Sequence, residues 1–362
     1  VLDSRFPVLR VAIPSLPQAE REGPLLESLD RLRDTRRRVL IPTSDFFVSL
    51  ISRHREQLSE SFDFCLPSPE LTSLLLDKAR EVELIESVGI PLPVSVLKLP
   101  PTWEELRARL RLPIIVKPRT FAEVALLGRK NVILRTEEEG REFYQRAEPL
   151  RDAVLAQEVV PGEDDTLWVC NCSFNAAGEM VEGFTFRRLR LTPAHFGVTS
   201  YAESIYNPEV LEQCRRLGAA LGYKGPAMIE FKLDARDGVY RYIEINPRIG
   251  LCNYFDTRCG INNVLHAYQL ARGVELRPTN RRQKEGVMYL EFVEDLLCRW
   301  QTDHEPLWRI LQHYASHAGR PHVGAYWDWR DPWPGLRYAL QQFSRVKAVG
   351  RKLKRRLAGQ GQ

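Results

Sequence analysis

The 362-residue sequence has no CxxC pair, only three methionines and seven histidines, and no apolar run approaching the roughly 20 residues that span a bilayer. A transmembrane helix is therefore not expected. The seven cysteines are an odd number without framework spacing, so they are expected to pack in a core in a reducing compartment. VLDSRFPVLR, the first ten residues, lacks the basic start, apolar centre and small-residue cleavage site of a signal peptide, which predicts a cytoplasmic protein. Internal repeats and low-complexity segments are also missing. A net excess of basic charge is confined to one place. The stretch from Ser344 to Gln362 holds seven Lys or Arg and no acid, which leaves −2 of the net +5 for the remainder, and no nucleic-acid partner is expected from so local a charge. What is present is 44% hydrophobic and 27% charged residues, enough for two or three folded units.

RRRVLIPTSDFFVSLISRHREQL predicts a strand over Val39–Pro42, a turn with Ser44 or Asp45 as N-cap, and a helix, the unit of an open α/β sheet. LTSLLLDKAREVELIESVGIPLP predicts one helix from about Leu71 to Gly89, with prolines just beyond. From Leu112 strands dominate, in LPIIVKP, NVILRT, AVLAQEVV, TLWVCNCSF and EMVEGFTFRRLRL, with a helix over about Thr136–Ala147, a mostly antiparallel α+β texture. NPEVLEQCRRLGAALGY predicts a capped helix, and AMIEFKLDARDGVYRYIEIN two strands around an Asp237-Gly238 turn. After Glu294 the texture changes again to a tryptophan-rich stretch. Leu336, Leu340, Phe343, Val346, Val349, Leu353 and Leu357 then recur at helical spacing among basic residues. Such a helix can dock on the protein's own core or lie on an anionic membrane.

In RYIEINPRIG, Glu244, Asn246 and Arg248 alternate with other residues and are expected on one strand face. The Asp-Gly turn should bring Glu230 opposite Glu244. Two facing carboxylates beside an amide oxygen suit Mg²⁺ and its phosphate ligands, whereas Lys232, Arg241 and Arg248 could instead neutralise both acids as salt bridges.

MIEF, a short hairpin and IEINPR together resemble the metal-binding end of the ATP-grasp superfamily. Three further stretches agree in order: DKAREVELIESVGIPLP with the helix before the ATP-binding module, IIVKP with its phosphate-contacting strand, and QEVVPGED with its adenine hinge. The texture within the superfamily is similar to that of predicted ATP-dependent carboligases resembling D-aspartate ligase. The resemblance covers about Leu71–Glu275. It implies an α+β ATP-grasp fold, two modules clasping ATP, preceded by a short and incomplete-looking α/β domain.

The implied divisions are 1–95 (N-terminal), 96–200 (lysine strand, lid and hinge), 201–294 (metal module) and 295–362 (C-terminal extension). The implied cofactors are ATP with Mg²⁺ or Mn²⁺. Glu230, Glu244 and Asn246 would hold the metal, Lys78 and Lys117 the phosphates, Gln157, Glu158 and Val160 the adenine, and Asp164 or Asp165 the ribose. Arg248 and Lys117 are the implied catalytic residues. Arg187, Arg188, Arg190, His195, Thr199 and Ser200 are candidates for the substrate side. The glycine-rich lid of the superfamily is reduced to Gly128 in PRTFAEVALLGRKN, where Arg119, Arg129 and Lys130 could contact phosphate by side chain. The implied reaction joins a small-molecule carboxylate to an amine through an acyl phosphate. A kinase, a carboxylase-like enzyme and a nucleotide-binding protein without turnover are the alternatives, and oligomeric state is left open.

Overall fold

Gly238 adopts φ 73°, a conformation strained for an L side chain, and its N–H donates to Asp234 O at 2.8 Å, closing the expected hairpin. Around this turn the computed structural model describes residues 4–6, 9, 11, 20–33, 36–193 and 197–342. The basic helix expected over Ser344–Gln362, and His195, lie outside the described residues. Two units result. The larger takes Asp34–Leu189 and Glu203–Glu285, the smaller Val1–Arg33, Arg190–Ala202 and Gly286–Gln362.

The larger unit begins with a parallel pair, β1 (Arg38–Val39) and β2 (Phe62–Asp63), so the first strand is shorter than its sequence suggested. Ser44 occupies the N-cap of helix Asp45–Arg53 without a side-chain capping bond. The single helix expected from Leu71 to Gly89 is two helices, Pro69–Leu75 and Lys78–Ser87. The break has a local cause. Ser68 accepts from Leu71 N at 3.1 Å, and Asp77 Oδ1 accepts from Ala79 N at 3.0 Å and Arg80 N at 3.3 Å, so each helix has its own N-cap. Lys78 is thereby fixed in a first turn.

A four-stranded sheet follows in the order β3-β6-β4-β5, with β3 Ser95–Val96, β4 Ile114–Pro118, β5 Val132–Leu134 and β6 Val154–Glu158. Its apolar side packs Val96, Ile114, Val116, Val154 and Ala156 against Trp103, Leu106 and Phe143 from two helices. The second sheet of this unit runs β11-β10-β7-β8, with β7 Leu167–Phe174, β8 Met180–Thr192, β10 Gly225–Leu233 and β11 Tyr240–Asn246. β7 pairs antiparallel with both β8 and β10. Helix Pro208–Leu221, capped by Asn207 as expected, buries Val210, Leu211, Cys214 and Leu217 against this sheet beside Leu71, Leu75 and Ile85. All seven cysteines are free and buried.

β8 passes into the smaller unit at Arg190 and β9 (Val198–Ser204) returns from it. In the smaller unit β12 (Met288–Leu290) runs parallel to β13 (His322–Val323), and helix Leu307–His317 turns Ile310 inward. No helix among the described residues is long and apolar enough to cross a membrane.

Candidate active site

The β10–β11 pairing sets Glu230 directly opposite Glu244, as their positions around the turn predicted. Immediately beyond this pair the register slips, with Phe231 opposite Tyr242, so a β-bulge lies beside the two acids and re-aims the local side chains. β11 ends at Asn246. Arg248 therefore does not continue the strand face expected of it; it sits in a bend, its N–H donating to Asn246 O at 2.8 Å.

Each oxygen of the proposed ligand set is engaged by a donor. Arg188 grips Glu230 with both terminal nitrogens, Nη1 to Oε2 at 2.8 Å and Nη2 to Oε1 at 2.5 Å. Lys78 Nζ donates to Glu244 Oε2 at 2.9 Å, and Asn246 Nδ2 to Glu244 Oε1 at 3.2 Å. Arg248 Nη2 donates to Asn246 Oδ1 at 2.8 Å, while its Nε holds Asp45 Oδ1 at 2.7 Å. The salt-bridge reading and the ligand reading thus meet on the same atoms, although the cations are Lys78 and Arg188. Lys232 and Arg241 go elsewhere, to Gly162 O and to Asp234 with Asp237.

Lys117 leaves β4 toward β6, where its Nζ donates to Gln157 Oε1 at 2.9 Å, and Gln157 Nε2 donates to Ser95 Oγ at 2.9 Å. Burial, reinforced by the like charge of Lys78, pushes the Lys117 ammonium down to about 8. Lys78 goes the other way: burial alone would lower it, and Glu244 and Glu81 outweigh that and raise it. The charge of Lys78 in turn holds Glu244 far below the usual carboxylate range. Lys78, Lys117, Glu230, Glu244, Asn246, Arg188 and Arg248 are therefore brought into one electrostatic neighbourhood.

The hinge residues have structural partners of their own. Glu158 is buried, accepting from Arg111 N at 3.0 Å and Arg236 Nη1 at 3.1 Å. The N–H groups of Glu158 and Val159 donate to Val94 O and Pro113 O, each at 2.9 Å, and Val160 is buried next to them. Asp164 and Asp165 form a single 3₁₀ turn with Asp165 exposed. In the lid segment Gly128 ends a short helix at φ 74°, and Arg119 is paired with Asp77 at 2.7 Å.

Arg190 and Ser200 belong to the smaller unit, and both bind Asp295. Arg190 Nε and Nη2 approach its two oxygens at 2.8 and 2.6 Å, Ser200 Oγ donates at 2.9 Å and Tyr314 OH at 2.7 Å. Arg187 pairs with Glu203 at 3.5 Å, and Thr199 is buried.

Sequence reasoning missed Glu81. This carboxylate is 3% exposed and accepts from Tyr242 OH at 2.5 Å and Ile245 N at 2.9 Å, tying helix Lys78–Ser87 to β11. Burial raises its pKa, against the pull of Lys78. A signal existed: Glu81 lies four residues before Ile85 on the apolar stripe of the helix. Asp45, in the first turn after the Ser44 N-cap, and Asp77, itself an N-cap, hold Arg248 and Arg119, and the sequence carried no signal of either pairing.

No protein-family profile matches the chain. It is 27% identical over 337 residues to the D-aspartate ligase of Enterococcus faecium (strain Aus0004), covering 84% of this chain and 74% of that protein. It is 23% identical over 193 residues to a D-alanine–D-alanine ligase of Synechococcus sp. (strain JA-2-3B'a(2-13)), 51% of this chain and 57% of that one. Among solved structures, the biotin carboxylase domain of Hydrogenobacter thermophilus 2-oxoglutarate carboxylase, in complex with MgADP and bicarbonate, superposes with TM-score 0.60 at 18% identity. That match covers 76% of this chain and 62% of that chain. The ADP complex of an N5-carboxyaminoimidazole ribonucleotide synthetase gives TM-score 0.56 at 16% identity, covering 73% and 67%. The chain thus spans less than two thirds of the length of the D-alanine–D-alanine ligase and of the biotin carboxylase domain. The fold is ATP-grasp. In sequence the chain is similar to a D-aspartate ligase and to D-alanine–D-alanine ligases.

Proposed function

We propose that the protein joins a small-molecule carboxylate to an amine at the expense of ATP, through an acyl phosphate. The observation that carries this reading is the facing Glu230–Glu244 pair, with Asn246 and three cations around it, on a fold of which one solved neighbour holds ADP with magnesium and another ADP. Two carboxylates and an amide oxygen fit a hard divalent cation. Mg²⁺, held by Glu230, Glu244 and Asn246, would neutralise triphosphate charge. Lys117 and Lys78 hold phosphate oxygens as point charges, and Arg248 stabilises the charge that develops as the γ-phosphoryl group moves. The substrate carboxylate oxygen attacks the γ-phosphorus and ADP leaves. The amine nitrogen then attacks the acyl carbon and inorganic phosphate leaves. Because the N–H groups of Glu158 and Val159 are already committed to Val94 and Pro113, Val160 is the hinge residue we assign to the adenine edge. Asp164 and Asp165 serve the ribose. With the Arg190 fork and the Ser200 hydroxyl both on Asp295, these two are better read as supports of the smaller unit, and Arg188, gripping Glu230, is the candidate for the substrate carboxylate or the triphosphate.

D-aspartate, the acid in the name of the Enterococcus relative, is the first carboxylate to test. ADP release should require both this or another carboxylate and an amine, and mass detection should find their condensation product. Release with the carboxylate alone would favour the kinase alternative. Dependence on bicarbonate would favour a carboxylase-like enzyme, and nucleotide binding without release of ADP in any pairing would favour a protein that has lost turnover.

We further propose a contact between the smaller unit and anionic lipid. In the helix over residues 333–342, Trp333 (63%), Leu336 and Leu340 (69%) are exposed at i, i+3 and i+7, and helix Leu307–His317 exposes Leu307, Trp308 and Leu311. An exposed apolar stripe running in sequence into seven basic residues suits the headgroup boundary of an anionic bilayer. The full chain should co-sediment with vesicles containing phosphatidylglycerol and not with phosphatidylcholine alone. Equal recovery with both would contradict the contact.

A further inference from the structure

The five oxygens that would ligate the metal are all occupied by protein donors, and the donors are mostly charged. Both oxygens of Glu230 are taken by Arg188, those of Glu244 by Lys78 and Asn246, and the Asn246 oxygen by Arg248. From this, and resting on the metal–nucleotide reading above, we infer that the protein's own cations close the ligand set to free divalent cations. The metal then enters only with the triphosphate, which draws Lys78 and Arg188 off the two glutamates.

A dication arriving alone meets two carboxylates that are already neutralised, with four cationic side chains around them. It would have to break the Arg188–Glu230 pair, whose side chains are 8% and 9% exposed, and leave a guanidinium buried without a partner. Binding would then gain one set of charge contacts and forfeit another. The triphosphate changes the balance, because its oxygens can accept the same donors. A guanidinium fork and an ammonium suit phosphate as well as they suit carboxylate. Arg188 carries a sign of this second role: its Nε is buried and makes no hydrogen bond, an unmet donor in an otherwise paired group. Once the phosphates hold Lys78 and Arg188, Glu230 and Glu244 present free oxygens, and the metal finds its ligands and the phosphates together. Metal and nucleotide binding would be strongly and reciprocally coupled.

The test is protein-bound Mn²⁺, measured by equilibrium dialysis on the full chain, with and without the non-hydrolysable analogue β,γ-imido-ATP. Wild type should bind Mn²⁺ at least about tenfold more tightly with the analogue than without it. Arg188→Met and, separately, Lys78→Met should each strengthen nucleotide-free Mn²⁺ binding by about tenfold, since each unmasks a carboxylate. Lys78 is the more exposed partner, so its variant guards against a folding defect in Arg188→Met. Tight Mn²⁺ binding by wild type without nucleotide, or unchanged affinity in both variants, would overturn the inference and leave the metal site standing. Nucleotide-dependent Mn²⁺ binding that survives Glu230→Gln and Glu244→Gln would instead sink the site reading itself.

Discussion

Lys117 is a half-buried ammonium whose hydrogen-bond partner is a neutral amide, and desolvation together with repulsion from Lys78 brings its pKa down to about 8. In the unfolded chain it would titrate near 10.5. Between those values the unfolded state binds more protons, so this group makes stability rise with pH from about 8 upward. For ligand binding the sign reverses. A triphosphate favours the charged form, so binding at pH 8 should take up roughly half a proton, and nucleotide affinity should fall as pH rises through 8. Calorimetry in buffers of different ionisation heat reads the uptake directly. Lys117→Arg keeps the charge at every accessible pH and should abolish the uptake. Undiminished uptake in that variant would assign the proton to another group.

Helix Glu137–Tyr144 shows how far elements were legible. Thr136 caps it, with its Oγ1 accepting from Glu139 N at 3.2 Å, and the start was readable from that residue and the acids after it. Gly140 in its middle was not readable, because its reason is a neighbour distant in sequence. A Cβ there would lie 2.2–2.5 Å from three ring atoms of Trp103, whose Nε1 is tied to Glu137 at 2.7 Å and leaves the indole no easy retreat. Gly140→Ala would gain about 1 kcal/mol of helix propensity. Overpacking of about 1–3 kcal/mol should outweigh that gain. Urea unfolding should therefore show a lowered midpoint at unchanged slope, and a raised midpoint would refute the packing argument.

The same contrast holds at the site. The Glu230–Glu244 opposition followed from counting residues around one Asp-Gly turn. The Arg188–Glu230 and Lys78–Glu244 pairs join residues 42 and 166 positions apart, and their choice over Lys232 and Arg241 depends on the bulge beside Glu230 and on the helix break that fixes Lys78. Local sequence set the two acids face to face, and tertiary structure chose their partners.

For the molecule as a whole, the larger unit carries the lysine strand, hinge and facing glutamates, in the order expected from the sequence. The smaller unit carries the Asp295 cluster and an exposed tryptophan-lined surface. Ligation through an acyl phosphate leaves a mark independent of how the amine is bound. With D-aspartate labelled by ¹⁸O in its carboxylates, an amine acceptor and ATP, each turnover should transfer one ¹⁸O from acid to inorganic phosphate, seen by mass spectrometry or by the ³¹P isotope shift. Product formation with phosphate free of label would contradict carboxylate activation and with it the central claim.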